Sequence, residues 1–208
     1  MANLILVRHG ESLWNAKGVW TGLTDISLSE KGRQEARLAG KSLENIKIDL
    51  AFTSVLKRAK ETLDEIRKVL NLNTLSSIED EALNERDYGY LTGKNKWEIQ
   101  KEVGKSEFQK IRRGWNMPIK NGESLKDVYN RVVPYYQNKI LPKLKAGKNV
   151  LVVAHGNSLR ALVKYLENIS DKDVEKLEIA TGEIYIYEID ATGEIVSKKT
   201  LKTSLGRI

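Results

Sequence analysis

LILVRHGES, Leu4 to Ser12, and VLVVAHGNS, Val150 to Ser158, follow one plan: an apolar run of strand length, then histidine, then glycine. His9 and His155 are the only two histidines in the chain. Leu4 to Val7 and Val150 to Ala154 are apolar throughout rather than alternating. Such runs belong to strands covered on both faces, the setting of a parallel sheet. In an open sheet of this kind ligands sit beyond the carboxyl ends of the strands. If the two strands are neighbours, both histidines reach the same edge. The glycine after each lets the backbone turn sharply and lets a ligand come close.

The surrounding segments extend the pattern. Ser27-Leu28-Ser29-Glu30 has the spacing of a capping box, with Ser27 as N-cap and Glu30 at N3. It predicts a helix to about Leu43, with Gly32 and Gly40 as weak points. Ile48 to Phe52 reads as a second inner strand. Leu56, Ala59, Leu63, Ile66 and Leu70 recur at spacings that form one helix face. Another helix is expected from about Ser158 to Glu167. Glu183 to Ile189 and Glu194 to Leu201 read as two strands joined by a turn at Asp190-Ala191-Thr192-Gly193. Strands alternating with helices predict an α/β fold with a mostly parallel central sheet and helices on both faces. From Glu123 to Leu144 a helical pattern resumes, and Pro134 within it should kink or break the helix. The span 82–122 is more polar and aromatic and reads as helices and loops over one end of the sheet. No repeat or linker interrupts the chain, so residues 1–208 are expected to form a single domain with that span as a cap.

Composition narrows the function. The chain has 208 residues, 40% hydrophobic and 30% charged, which suits one domain with a real core. No apolar stretch approaches the roughly 20 residues of a membrane span, and the N-terminus lacks a signal-peptide pattern. No membrane association is expected. There are no cysteines, which excludes disulfides, thiol nucleophiles and thiolate metal sites. That fits a reducing cytoplasm, the expected location. The net charge of +7 can steer an anion, either nucleic acid or a small phosphorylated metabolite, or can simply reflect a lysine-rich solvated surface. The chain has no dense basic arm with interleaved aromatics, so no nucleic-acid partner is expected.

Three chemistries fail on spacing. Zinc would need a third ligand, and no HExxH or clustered His/Cys is present, so no metal is expected. AHGNSL is not the GxSxG of a serine hydrolase. GYLTGKN has its glycines one residue too close for a phosphate loop, and Asn follows the Lys. Histidine as nucleophile remains, forming a phosphohistidine and splitting one transfer into two. Such a site needs cations around the moving phosphoryl group. Arg8 adjoins His9. Arg58, early in the helix after the second strand, can reach the same edge, although alone it reads as a surface arginine.

Arg-His-Gly after a first strand resembles the signature of the histidine phosphatase superfamily. LVRHGESLWNAKGVWTGLTDISLSEKG, TSVLKRAKETL, ERDYGYLTGKNK, RRGW and NGESLKDVYNRVVPYY…VLVVAHGNSLRALVKYL together resemble its cofactor-dependent phosphoglycerate mutase family. They occur in that family's order and span nearly the whole chain. The resemblance implies that His9 is phosphorylated, with Arg8, Arg58 and His155 around the phosphoryl group. It implies Glu85 as general acid/base. Gly10, Glu11, Ser12, Asn15, Thr21, Gly22, Gly156 and Asn157 would line the phosphate and substrate site. Tyr88, Lys96, Arg112 and Arg113 would hold the far end of the substrate with its carboxylate. It implies 2,3-bisphosphoglycerate as primer, no metal, a small-molecule phosphoglycerate substrate and a homo-oligomer, dimer or tetramer.

Charge chemistry runs parallel to this. Phosphoglycerate carries a phosphate and a carboxylate, so its site needs two cationic poles. Arg8 with Arg58 supplies one, and Lys96 with Arg112 and Arg113 the other. Glu85 among these cations has a plain alternative in a salt bridge to Arg86. Trp14, Trp20 and Trp115 read as packing residues. Asp87 stands where many members carry a basic or neutral residue, and is expected to trim the positive field. The tail TLKTSLGRI is short, and in relatives a tail can cover the site. Two other functions stand beside the mutase: a phosphatase, in which water accepts the phosphoryl group, and a non-catalytic protein that binds an anionic partner.

Overall fold

The computed structural model describes residues 1–202. Six strands form one sheet: β1 (Ala2–Arg8), β2 (Leu50–Thr53), β3 (Ser77–Glu79), β4 (Val150–Ala154), β5 (Ile184–Ile189) and β6 (Ile195–Leu201). Their spatial order is β3-β2-β4-β1-β5-β6. The first four are mutually parallel, whereas β5 runs antiparallel to β1 and β6 antiparallel to β5. β1 and β4 are neighbours, with Arg8 opposite Ala154. The residues that follow, His9 and His155, therefore leave the sheet side by side.

Alternation along the strands divides the core into two layers. Leu4, Leu6, Val150 and Val152 pack with α5 (Leu125–Tyr135) and α7 (Gly156–Leu166). Ile5, Val7, Leu151 and Val153 pack with α2 (Glu30–Ser42) and α3 (Lys57–Leu70). A third apolar cluster, including Trp20, Tyr88, Leu91 and Phe108, lies apart from these layers. It involves the segment 82–122, which holds two 3-10 turns and α4 (Lys96–Arg113).

Several local details differ from the sequence reading. Ser29, not Ser27, caps α2, its Oγ accepting from Gly32 N at 3.0 Å. Ser27 is held elsewhere, its carbonyl accepting from Leu13 N at 3.1 Å. Glu30 is then the first helical residue rather than N3, and faces Arg37. The glycines of α2 are contacts, not weak points. A Cβ on Gly40 would lie 3.0 Å from Val69 Cβ of α3. A Cβ on Gly32 would lie 2.0 Å from the Glu11 carbonyl oxygen, and one on Gly10 would lie 2.1 Å from the Gly32 carbonyl oxygen. Pro134 does not break its helix. It is exposed within α5, and the chain continues through a π segment, Tyr136–Ile140, into α6 (Leu141–Lys145). A π turn absorbs a disturbed hydrogen-bond ladder without ending the helix. That keeps Val132, Tyr136 and Ile140 all in the core. The edge strand β3 and the one-turn helix α1 (Leu13–Ala16) carry no periodic signal and were not expected. Most of the tail, from Thr203 onward, lies outside the described residues. No helix among the described residues is long and apolar enough to cross a membrane.

Candidate active site

The carboxyl ends of β1 and β4 open into a solvent-connected cavity whose wall includes Arg8, His9, Arg58 and Glu85. His9 is 2% exposed and lies in its wall. Its Nδ1 is 2.6 Å from the Gly10 carbonyl oxygen. A carbonyl only accepts, so Nδ1 carries the hydrogen and Nε2 carries the free lone pair. Burial holds the imidazole well below its usual pKa, and the charges of Arg58 and Arg8 add to this. The ring is thus neutral at neutral pH, the form that attacks phosphorus. The His155 ring lies 4.9 Å away, edge to face. It is also held neutral, chiefly by burial and then by Arg58, and its Nε2 is 2.6 Å from Ser54 Oγ.

Arg58 is 1% exposed, so the surface reading of this residue fails. Its Nη1 donates to Thr24 O at 3.0 Å and its Nη2 to Gly22 O at 2.8 Å. Gly22 must supply that carbonyl at φ 52, a conformation that favours glycine. Burial pulls the guanidinium down to about 10, which leaves it charged at neutral pH. Arg8 donates through Nη1 to Ile179 O, while its Nε is buried with no hydrogen-bond partner among the described residues. A buried donor of this kind is costly unless a ligand meets it.

Glu85 takes no salt bridge from Arg86, whose guanidinium donates to Glu123 O and Ile111 O. Three N–H groups instead converge on Glu85 Oε1: Arg86 N at 2.8 Å, Asn157 N at 3.2 Å and Asn157 Nδ2 at 3.1 Å. Asn157 lies in the first turn of α7, where helical N–H groups have no partner within the helix. Asn157 Nδ2 also donates to Tyr88 Oη at 2.8 Å. Burial raises the Tyr88 pKa, so it remains a phenol.

The second pole is carried by one element. Lys96 is the first residue of α4, and Arg112 and Arg113 are its last two. A straight helix of 18 residues would hold its ends about 27 Å apart. Gly104, at φ 80, interrupts the helix, and both ends line the same cavity. Lys96 lies over the Trp20 ring at 5.6 Å. Burial, then Arg112 and Arg8, lower its pKa to about 8. Arg112 lies over Phe108 at 5.5 Å, and Arg113 donates to Leu177 O and pairs with Glu178.

Of the residues expected at the site, Asn15, Thr21, Gly22, Tyr88, Gly156 and Asn157 join these groups in the wall. Gly10, Glu11 and Ser12 do not. Gly10 N donates to Thr62 Oγ1, Glu11 faces Lys31 and Ser29, and Ser12 caps α1. A side chain at Gly10 would meet the backbone of Gly32. His155 also lies outside the wall and faces His9. Asp87 is not in the wall either; its Oδ1 accepts from Gly89 N at 2.8 Å, which shapes the turn. The sequence reading missed four wall residues, Trp20, Arg160, Glu178 and Ile179. Among the described residues no group of three or more His, Asp and Glu side chains is gathered as a metal site.

The profile of the histidine phosphatase superfamily (branch 1) matches residues 4–201. A 2,3-bisphosphoglycerate-dependent phosphoglycerate mutase of Chelativorans sp. (strain BNC1) is 48% identical over 201 residues, 96% of this chain and 98% of that protein. One from Cytophaga hutchinsonii is 46% identical over 202 residues, 97% and 94% of the two chains. Among solved structures, Bacillus stearothermophilus YhfR superposes with a TM-score of 0.82 at 29% identity, covering 94% of each chain. The chain belongs to the histidine phosphatase superfamily (branch 1), and within it to the same family as these mutase relatives.

Proposed function

We propose that the protein interconverts 2-phosphoglycerate and 3-phosphoglycerate through a phosphohistidine at His9, primed by 2,3-bisphosphoglycerate. The observation that carries this reading is one cavity holding a neutral histidine with a free Nε2, a carboxylate and two separate sets of cations. The residues fit a ligand with an anionic group at each end. Arg8 and Arg58 meet one end, with the unpartnered Arg8 Nε as a ready donor. Lys96, Arg112 and Arg113 meet the other. 2,3-bisphosphoglycerate supplies the phosphoryl group that first loads His9.

Phosphorylated His9 passes its phosphoryl group to the free hydroxyl of the substrate. The bond from Nε2 to phosphorus breaks, a bond from oxygen to phosphorus forms, and Glu85 takes the hydroxyl proton. In the return step His9 Nε2 attacks the other phosphorus, and Glu85 gives the proton to the departing oxygen. No proton or phosphate is gained or lost over the cycle. A positioned acid/base of this kind contributes about 10² to 10⁴ in rate. Arg8, Arg58 and His155 stabilise the charge spread over the transferring group. The arginines supply the charge that a metal would otherwise supply.

As part of the same reading, the protein works in the cytoplasm as a homo-oligomer on a small molecule, with no nucleic-acid or membrane partner. Residues 1–208 act as one domain capped by about 82–122. The absence of cysteines supports the location. An assay coupled to enolase tests the function. Activity should require the primer and survive a chelator. Free phosphate released faster than 2-phosphoglycerate forms would favour a phosphatase instead. Absence of an acid-labile phosphoryl adduct at His9 would leave only anion binding.

A further inference from the structure

Arg160 is the one cation of the cavity wall without a role in that scheme. It is 2% exposed, in the middle of α7. Its guanidinium makes four hydrogen bonds: Nε to Leu177 O at 2.9 Å, Nη2 to Arg113 O at 2.9 Å and to Val174 O at 2.7 Å, and Nη1 to Asn157 Oδ1 at 2.9 Å. The last bond has a chemical consequence. A side-chain amide can present either end to a neighbour, but a guanidinium only donates. Asn157 must therefore turn Oδ1 to Arg160, and its Nδ2 is left to face Glu85 Oε1 and Tyr88 Oη. With Nδ2 in place, Oε1 accepts three N–H groups. Oε2 is then the oxygen left to exchange a proton with the substrate.

We propose that Arg160 is a positioning residue for the reaction: by fixing the Asn157 amide it commits Glu85 Oε1 to structure and Glu85 Oε2 to proton transfer. The same guanidinium docks the end of α4 through the Arg113 carbonyl, so the proton carrier and the second cationic pole share one anchor. This inference rests on the mutase reading, because it assigns Glu85 to the substrate hydroxyl.

The test compares two phosphoryl donors. Transfer to or from a phosphoglycerate hydroxyl needs Glu85. Release of p-nitrophenolate from p-nitrophenyl phosphate needs no proton, so its first-turnover burst reports His9 and its cations alone. In Arg160→Lys, which keeps the charge but loses the planar fork, mutase kcat should fall about tenfold or more, the scale of a displaced catalytic group. The burst rate should change less than about twofold, since the oxyanion-stabilising groups are untouched. Arg160→Met should act in the same direction, and combining it with Asn157→Ala should cost no more than the larger single change, as for residues acting in series. If Arg160→Met does not fold, Arg160→Lys still decides. Unchanged mutase turnover in Arg160→Lys, equal loss of burst and turnover, or additive losses in the double variant would overturn the proposal. A wild-type protein with the burst but no mutase activity would instead overturn the functional reading.

Discussion

Two sets of positive charge face the same cavity, and they are held in opposite ways. Arg8 at the end of β1 is part-buried and Arg58 in the first turn of α3 is buried, and both are tied to backbone carbonyls, those of Ile179, Thr24 and Gly22. Lys96, Arg112 and Arg113 sit at the two ends of a helix interrupted at Gly104, and rest on aromatic faces or on Glu178. A transferring phosphoryl group demands donors fixed before it arrives, because donors that reorganise during the reaction give back their advantage. Holding a carboxylate demands only charge within reach. On the proposed reading, the cations that meet the phosphoryl group are fixed beside the strand ends, whereas the cap supplies the cations of the far pole together with Glu85.

The harshest way to test that division is to remove what the first pole serves. His9→Ala should lower turnover by about 10⁴-fold or more, as loss of a nucleophile does, with the circular dichroism spectrum unchanged. Retained turnover would make the division meaningless. Arg58→Met comes next. It should lower kcat about a hundredfold to a thousandfold while KM moves little. It should also destabilise the fold by about 1–3 kcal/mol for each carbonyl left without a donor, read as a lower midpoint in urea. Arg112→Ala should give the reverse signature, KM up about tenfold and kcat within about threefold, the loss of one charge-assisted contact. If its effect fell on kcat instead, the two poles would not differ in kind.

The mildest test is pH. Lys96, at about 8, is charged below that value and neutral above it. The charged form attracts the anion, so kcat/KM should fall as pH rises through about 8. Lys96→Arg, charged over the whole range, should flatten that limb. A limb shared by wild type and variant would assign it to another group.

The division also explains what could be read from sequence. Strand ends announce themselves: VLVVA before His155 is apolar at every position and β4 has those boundaries. The two histidines, Arg8 and Arg58 follow from such landmarks. Ser27 and Ser29 compete for one cap, and only tertiary hydrogen bonds choose between them. β3 is three residues, Ser77, Ile78 and Glu79, too short for any period to show. Glu178 and Ile179 reach the cavity from a loop, where no pattern marks them. Arg160 is hidden for a different reason: α7 is buried from Asn157 to Val163, its polar residues included, so the burial of this arginine comes from tertiary packing and not from an apolar pattern.

The seam between Gly10 and Gly32 bears on engineering. Replacing a helical glycine by alanine is a common route to thermostability, worth about 1 kcal/mol where the backbone allows it. In α2 that recipe would drive a methyl group into the peptide at Glu11, two residues past His9. A hardier protein sought by that substitution would be bought at the expense of its reactive loop, so stabilising libraries for this fold should begin elsewhere.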